Sequence, residues 1–279
     1  MNVQRELVLS GVTVRVMKGT RNISALEDVN LRIRSGEWIS LVGRNGSGKS
    51  TLIRVLAGLL PVQEGSMDRG FCGDGPIPIV MQNPDVQWVG DTPWEDVVFA
   101  LEQLGERPER IASHAEDTLR RVGLGPQMHG RMAELSGGQK QLAAIAGCLA
   151  ADAPLLLFDE ATSMLDPVSR RQVLEAARHQ HRSGKTVVWS TQHSGEIAPG
   201  DRVVALQEGR VVFDGLAESF YYGTGSEAEG MDEACCLRLG FEPPYAVQVA
   251  RELLRLGARL RLLPLTTEQL AEAVTCDGE

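Results

Sequence analysis

The chain has 279 residues, of which 43% are hydrophobic and 23% charged, a composition typical of a globular α/β protein. Its formal charge of −9 disfavours nucleic acid or anionic lipid as a direct partner, because both attract basic surfaces. No apolar run reaches the roughly 20 residues that span a bilayer, and residues 1–6 do not begin a signal peptide, so we expect an intracellular protein that meets a membrane only through a partner.

Predicted strands and helices alternate along the chain. Short apolar runs or β-branched alternation predict strands at 7–16, 26–33, 38–42, 77–82, 154–158, 186–191, 202–206 and 210–213. Apolar residues at helical spacing predict helices at 51–60, within 94–150, and at 168–182, 244–257 and 266–274. This alternation predicts an α/β core with a parallel sheet, closed by a hairpin of the last two strands.

The last part of the chain is separated from this core by a predicted linker at 222–232, rich in glycine and acidic residues. The two helices that follow the linker are too short to enclose a core of their own. We therefore divide the chain into a main domain at 1–220 and a linker with a small helical element at 221–279. That element must pack on the main domain or on another chain.

A glycine-rich segment between strand 38–42 and the next helix carries the pattern G-x-x-x-x-G-K-S/T. Such a turn aims several backbone N–H groups at one point, and the positive end of the helix adds to them. The hollow suits nucleotide phosphates, with Lys49 bridging the outer phosphates and Ser50 ligating Mg²⁺. The alternative, a connection without a ligand, is disfavoured by the flanking strand and helix. The predicted binding residues are Gly43, Arg44, Asn45, Gly46, Ser47, Gly48, Lys49, Ser50 and Thr51.

Two acidic residues, Asp159 and Glu160, follow the predicted buried strand at 154–158. In proteins with a phosphate loop, an acid at the tip of such a strand lies beside the loop, where Asp159 would hold Mg²⁺ directly or through water. Glu160 would then face the attacking water and serve as the general base. The alternative is an acidic pair that ends a strand in solvent, and the upstream phosphate loop favours the catalytic interpretation.

Residues 135–139 read L-S-G-G-Q, which could be a capping box that starts a helix. Together with the phosphate loop and the acidic pair, this segment resembles the nucleotide-binding domain of ABC transporters, over roughly residues 7–220. The resemblance implies that these helix-start donors contact the γ-phosphate of ATP held by another subunit, which is compatible with capping. The residues in question are Ser136, Gly137, Gly138 and Gln139.

Further segments carry the same resemblance. Gln82 matches the Q-loop glutamine, which implies a role toward Mg²⁺, the attacking water and the membrane partner. Residues 161–166 resemble the D-loop, which in the family crosses the dimer interface. The resemblance implies the P-loop NTPase fold of ABC ATPases, with a RecA-like parallel sheet core, an antiparallel β subdomain and a helical subdomain at about 94–150.

A closer resemblance is to the ATPases of energy-coupling-factor (ECF) transporters, the CbiO/EcfA type. It is carried by residues 82–85, 87, 95–97, 139–141, 144–147 and 160–167, and by the tail around 239–243 with the helix after it. In that family the C-terminal element helps to join two ATPase subunits. The complexes import vitamins or transition-metal ions, cobalt or nickel, through a membrane coupling subunit and a substrate-binding membrane subunit.

Three positions depart from the family pattern. Val16 stands where an aromatic residue usually stacks on adenine, and an aliphatic side chain is a weaker platform. Leu142 stands where arginine is common, which affects one surface contact near the signature. An ungapped count places Gln192 at the position of the switch histidine and His193 one residue later, so either could serve. A glutamine amide can bond a phosphate oxygen but carries no charge.

The sequence thus predicts an ATP-binding and hydrolysing subunit of an ECF-type importer, peripheral at the cytoplasmic face of the cell membrane. ATP and Mg²⁺ are the expected cofactors, and the predicted catalytic residues are Glu160, Gln82, Gln192 and His193. The expected partners are a second ATPase subunit, identical or paralogous, and the two membrane subunits, with no nucleic acid. The alternative, motivated by the departures, is a degenerate ATP-binding member of a heterodimer that does not hydrolyse ATP.

Overall fold

The structure is a computed structural model that describes residues 6–18, 21–223 and 234–275. The strands are β1 (Leu7–Lys18), β2 (Arg21–Ile33), β3 (Trp38–Val42), β4 (Glu64–Asp68), β5 (Ile79–Val80), β6 (Leu155–Asp159), β7 (Thr186–Ser190), β8 (Arg202–Gln207) and β9 (Arg210–Leu216). The helices are α1 (Lys49–Leu56), α2 (Pro93–Gln103), α3 (Pro108–Arg121), α4 (Gly137–Ala150), α5 (Pro167–Arg182), α6 (Ala217–Tyr222), α7 (Cys235–Arg238), α8 (Tyr245–Arg255) and α9 (Thr267–Thr275).

The main sheet has six strands in the order β5-β6-β7-β3-β8-β9. All neighbours pair in parallel except β8 and β9, which form the predicted antiparallel hairpin. Every residue of β3, β6 and β7 is buried, as expected for strands covered on both faces. The predicted α/β architecture is therefore confirmed. Because the carboxyl ends of β3 and β6 lie at one edge, the phosphate loop and the acidic pair meet there.

A second sheet of three antiparallel strands, in the order β2-β1-β4, lies beside the main one. Strand β4 was not predicted, because its five residues lack β-branched side chains and are mostly exposed, so only pairing with β1 makes it a strand. The strand expected at 77–82 is confined to Ile79–Val80. Pro78 has no N–H to donate and contributes only its carbonyl, which accepts from Leu157 N at 3.1 Å.

Helices α2, α3 and α4 form the helical region predicted at about 94–150 and share one apolar core with α5 and a face of the main sheet. Each start of α2 and α4 is closed by a capping box, Thr92 with Glu95 and Ser136 with Gln139. Leu142, which stands where arginine is common, is buried in this core as a packing residue. None of the described helices is both long and apolar enough to cross a bilayer.

The C-terminal helices α7, α8 and α9 pack on the same polypeptide, against α6 and strand β8. Their core includes Phe220, Tyr221, Cys236 and Phe241. Arg251, itself buried, donates to the carbonyl of Tyr221 at 2.7 Å. Helix α6 extends to Tyr222, past the domain boundary expected at residue 220. Its buried residues Tyr221 and Tyr222 therefore belong to the core and not to a linker. Most of that linker, residues 224–232, lies outside the described residues.

Candidate functional site

The phosphate loop is held between strands of both sheets at two glycines. Gly43 has a φ of 149° and Gly48 a φ of 109°, in the region that side-chain-bearing residues rarely adopt. A Cβ at Gly43 would lie 2.4 Å from the carbonyl oxygen of Leu206 in β8, and one at Gly48 would lie 2.5 Å from that of Ala25 in β2. The loop therefore keeps its shape only with glycine at both positions.

Helix α1 opens directly from this loop. Its first backbone bond runs from Leu52 N to the Gly48 oxygen at 2.8 Å, so the N–H groups of Lys49, Ser50 and Thr51 precede the helical ladder. No side chain in the described residues caps them. Lys49 is buried, and its ammonium donates to the Gly43 carbonyl at 2.7 Å and lies 3.1 Å from Glu160. Free amides, a helix N-terminus and a buried cation together make an anion site.

A cavity of about 510 Å³ lies over this helix start and joins residues from distant segments. Among the predicted site residues, those that line it are Val16, Asn45, Gly46, Gly48, Lys49, Ser50, Thr51, Gln82, Glu160, Gln192 and His193. Six further lining residues were not among the predicted site residues, namely Ile23, Ser24, Ala25 and Thr191, together with Thr162 and Ser163 of the segment that resembles the D-loop. Thr162 and Thr191 are small polar neighbours of predicted catalytic residues and could have been found by that signal, whereas Ile23 carries none.

Two predicted binding residues point away from the cavity. The Arg44 guanidinium lies against Gly240 of the C-terminal segment, whose added Cβ would be 3.7 Å from Arg44 Cζ. Only the Arg44 carbonyl turns inward, accepting from Lys49 Nζ at 3.3 Å. Ser47 is buried behind the loop, and its hydroxyl has no partner among the described residues.

The acidic pair lies at the end of β6, where Glu160 lines the cavity and Asp159 precedes it in the chain. Asp159 is buried and accepts a hydrogen bond from the Ser50 hydroxyl at 2.9 Å. Burial raises the pKa of Asp159, and the hydrogen bond from Ser50 opposes that rise. A cation bound here would stabilise the ionised carboxylate. Glu160 has a φ of 51°, a left-handed backbone conformation that residues other than glycine rarely adopt. Such conformations cluster at functional sites.

Of the two switch candidates, Gln192 has the side chain that contacts the predicted base. The Gln192 amide nitrogen donates to Glu160, lying 2.8 Å from each carboxylate oxygen, and to Asn45 Oδ1 at 2.7 Å. His193 lines the same cavity. Its backbone N–H donates to Thr191 Oγ1 at 2.9 Å. The fold thus brings the amide, and not the imidazole, into contact with the predicted base.

The signature segment at 136–139 lies outside this cavity. Ser136 and Gly137 are exposed, and the predicted capping box is formed by Gln139 N to Ser136 Oγ at 3.3 Å and Ser136 N to Gln139 Oε1 at 2.9 Å. Gly138 backs onto Ser169, whose Cβ would lie 2.6 Å from an added methyl. This helix start is therefore packed against α5 on one side and exposed at Ser136 and Gly137.

Comparison with known proteins identifies the family of this chain. A family model described as ABC transporter matches residues 26–163. Over 259 residues and 89% of each chain, the sequence is 38% identical to the energy-coupling factor transporter ATP-binding protein EcfA1 of Geobacillus kaustophilus. The chain belongs to the energy-coupling factor group of ABC transporter ATPases.

Solved structures of ABC ATPases share this fold. CbiO1 from Clostridium perfringens, described as part of the ABC transporter complex cbiONQ, aligns with a TM-score of 0.68 and 27% identity over 85% of this chain and 96% of its own. A dimeric ATP-binding cassette in a post-hydrolysis state, bound to ADP and Pi, aligns with a TM-score of 0.66 and 29% identity over 75% of this chain and 98% of its own. The predicted ABC ATPase fold is confirmed.

Proposed function

We propose that this ABC ATPase hydrolyses ATP with Mg²⁺ and powers an ECF-type importer of a vitamin or a transition-metal ion, cobalt or nickel. The observation that carries the proposal is the contact set in which Lys49, Glu160 and Gln192, from three separate segments, meet in one cavity. The ECF name of its relatives supports the transport role. The chain would work at the cytoplasmic face of the cell membrane, held there by membrane subunits.

The residues present fit ATP and Mg²⁺. The Ser50 hydroxyl and the Asp159 carboxylate, 2.9 Å apart, supply the hard oxygen ligands that Mg²⁺ prefers, and Gln82 adds an amide oxygen at the cavity wall. When bound, Mg²⁺ would neutralise charge that develops on the phosphates. Val16 and Ile23 line the cavity on the β1–β2 side and would form an aliphatic platform for the adenine.

Lys49 and Glu160 exchange partners in the proposed reaction. The Lys49 ammonium is bonded to the Gly43 carbonyl and paired with Glu160. Phosphate oxygens are stronger partners for a buried cation than a carbonyl, so the ammonium turns toward the outer phosphates. Glu160 then accepts the proton of the attacking water, while the Gln192 amide keeps its carboxylate oriented and donates toward the γ-phosphate.

A second ATPase subunit completes the proposed site. The helix start at residues 136–139, exposed at Ser136 and Gly137, would cap the γ-phosphate held by the partner, since it does not line the cavity of its own chain. Met164, 66% exposed in the D-loop segment next to the cavity, would lie at the same interface. The tail would add contacts through Tyr245, the first residue of α8, and Leu256, which directly follows α8; they are 72% and 77% exposed.

The membrane partner would bind beside Gln82. This region carries apolar side chains that are exposed in the chain alone, Val86 at 65%, Val89 at 69% and Phe99 at 44%. Its backbone is fixed from within, because Gln87 accepts from Met81 N at 2.7 Å and donates to the Ile79 carbonyl at 2.8 Å. A rigid apolar surface next to a cavity-lining glutamine suits a helix of a membrane subunit.

The experiment that tests the site is ATP binding by Lys49→Ala. We expect its ATP affinity to fall by about two orders of magnitude, since it removes a buried cation from the phosphate site. Lys185→Ala, which removes only an exposed pair with Asp152, is the matched control. Unchanged affinity in Lys49→Ala would remove the phosphate loop from its assigned role. ATP binding without turnover, alone and with a partner ATPase, would favour the degenerate heterodimer member instead.

A further inference from the structure

We propose that Glu196 is a positioning residue that holds the D-loop segment and Gln192 as one unit. The inference rests on the proposed hydrolysis and adds to it a residue that does not line the nucleotide cavity. Glu196 lies in the turn that follows the switch residues, and it is only 3% exposed. A buried carboxylate is costly unless several donors satisfy it, so its partners show what it stabilises.

Three donors from two segments converge on this carboxylate. Thr162 Oγ1 donates to Oε1 at 2.6 Å, while Trp189 Nε1 at 2.9 Å and Thr191 Oγ1 at 2.5 Å donate to Oε2. The Arg170 Nε lies 3.8 Å from Oε1 and offsets the charge without a hydrogen bond. One side chain thus bonds both the strand that leads to the switch and the segment that follows the predicted base.

Together with the Gln192–Glu160 contact, these bonds form a closed ring of interactions through Thr162, Glu196 and Thr191. Thr162 is two residues after Glu160, and Thr191 directly precedes Gln192. Gln192 in turn donates to Glu160, so each segment is tied to the other both inside the cavity and behind it. A displacement of the D-loop segment, whose Met164 is 66% exposed, would therefore move Gln192 through Glu196.

The anchor of the ring is rigid. The Trp189 indole packs between Phe158 and Trp38, with ring centroids 4.9 Å and 5.7 Å away, so its N–H keeps one direction. The threonine hydroxyls can rotate and also accept. A glutamine at position 196 could accept from Trp189 and Thr191 and donate to Thr162, so Glu196→Gln keeps the ring, whereas Glu196→Ala removes it.

The test is a double-mutant cycle measured by single-turnover ATP hydrolysis. We expect Glu196→Ala to lower the rate by about 10- to 100-fold, as a small misplacement of catalytic groups does, and Glu196→Gln to recover most of it. ATP affinity should stay within about twofold, because Glu196 does not touch the phosphate loop. In a Gln192→Ala background, Glu196→Ala should cost less than about threefold, since the group it positions is already gone.

Equal losses in both backgrounds would overturn the proposal, because a merely structural role is additive. Should Glu196→Ala fail to fold, Thr162→Val and Thr191→Val each remove one bond of the ring, and the same non-additivity with Gln192→Ala is expected. Failure of the proposed function has a separate sign, namely ATP affinity that survives Lys49→Ala.

Discussion

The Gln192 amide nitrogen lies 2.8 Å from both carboxylate oxygens of Glu160. It also donates to Asn45 Oδ1 at 2.7 Å, so one neutral side chain connects the predicted base to the phosphate loop. Glu160 additionally pairs with Lys49 at 3.1 Å. The predicted base is therefore held by a cation and an amide, and we expect a bound phosphate to draw the cation away from it.

We predict that Gln192→Ala slows ATP turnover more than His193→Ala does. Gln192 contacts Glu160 directly, whereas His193 is fixed through its backbone. Removing an orienting hydrogen bond to a catalytic group costs about 10- to 100-fold in rate, and we expect less than about threefold for His193→Ala. Steady-state kcat and KM for both variants decide the order. A larger loss in His193→Ala would assign the switch to the imidazole.

We predict that Glu160→Gln binds ATP normally but hydrolyses it at least about 100-fold more slowly, because an amide cannot accept the proton of the attacking water. ATP should then accumulate in a closed dimer, which size-exclusion chromatography with ATP detects. Glu175→Gln, on the exposed side of α5, is the matched control. Hydrolysis close to that of the unaltered chain would show that Glu160 is not the base.

We predict that Asp159→Asn stabilises the chain when nucleotide and Mg²⁺ are absent. Burial raises the pKa of Asp159, so stability falls as the pH rises from the unfolded-state pKa through the folded-state pKa, and above that the ionised carboxylate opposes folding. Asparagine removes that cost and can still accept from Ser50. The unfolding midpoint should rise without ligand, while the added stability from MgATP should shrink, with Mg²⁺ affinity about tenfold weaker or worse. A lower midpoint without ligand would contradict this.

We predict that Val89→Asp and Phe99→Asp prevent assembly with the membrane subunits while ATP binding stays within about twofold. A charge in an apolar contact opposes its burial, and neither side chain lines the nucleotide cavity. Val212→Asp, on edge strand β9 at the opposite end of the main sheet, is the control for an exposed apolar residue. Co-purification of membrane subunits gives the readout. Normal assembly in both variants would place the docking surface elsewhere.

The phosphate loop and the alternation of strands and helices were readable from the sequence. The loop is contiguous, and its glycines, lysine and serine act through local backbone geometry. Buried strands such as 155–159 and 186–190 give continuous apolar runs for the same short-range reason. Strand β4 carried no such signal, because it exists only through its pairing with β1.

By itself, the sequence determined which chemical groups are available, and it left Gln192 and His193 as alternatives. Only the tertiary structure decided which of them reaches Glu160 and that the Arg44 side chain turns toward Gly240. It also brought Glu196 to Thr162, from which it is 34 residues away in the chain. The physical reason is the distance along the chain over which each kind of signal acts. Periodicity and turn chemistry act over a few residues, whereas the direction of a side chain across a cavity depends on how distant elements pack.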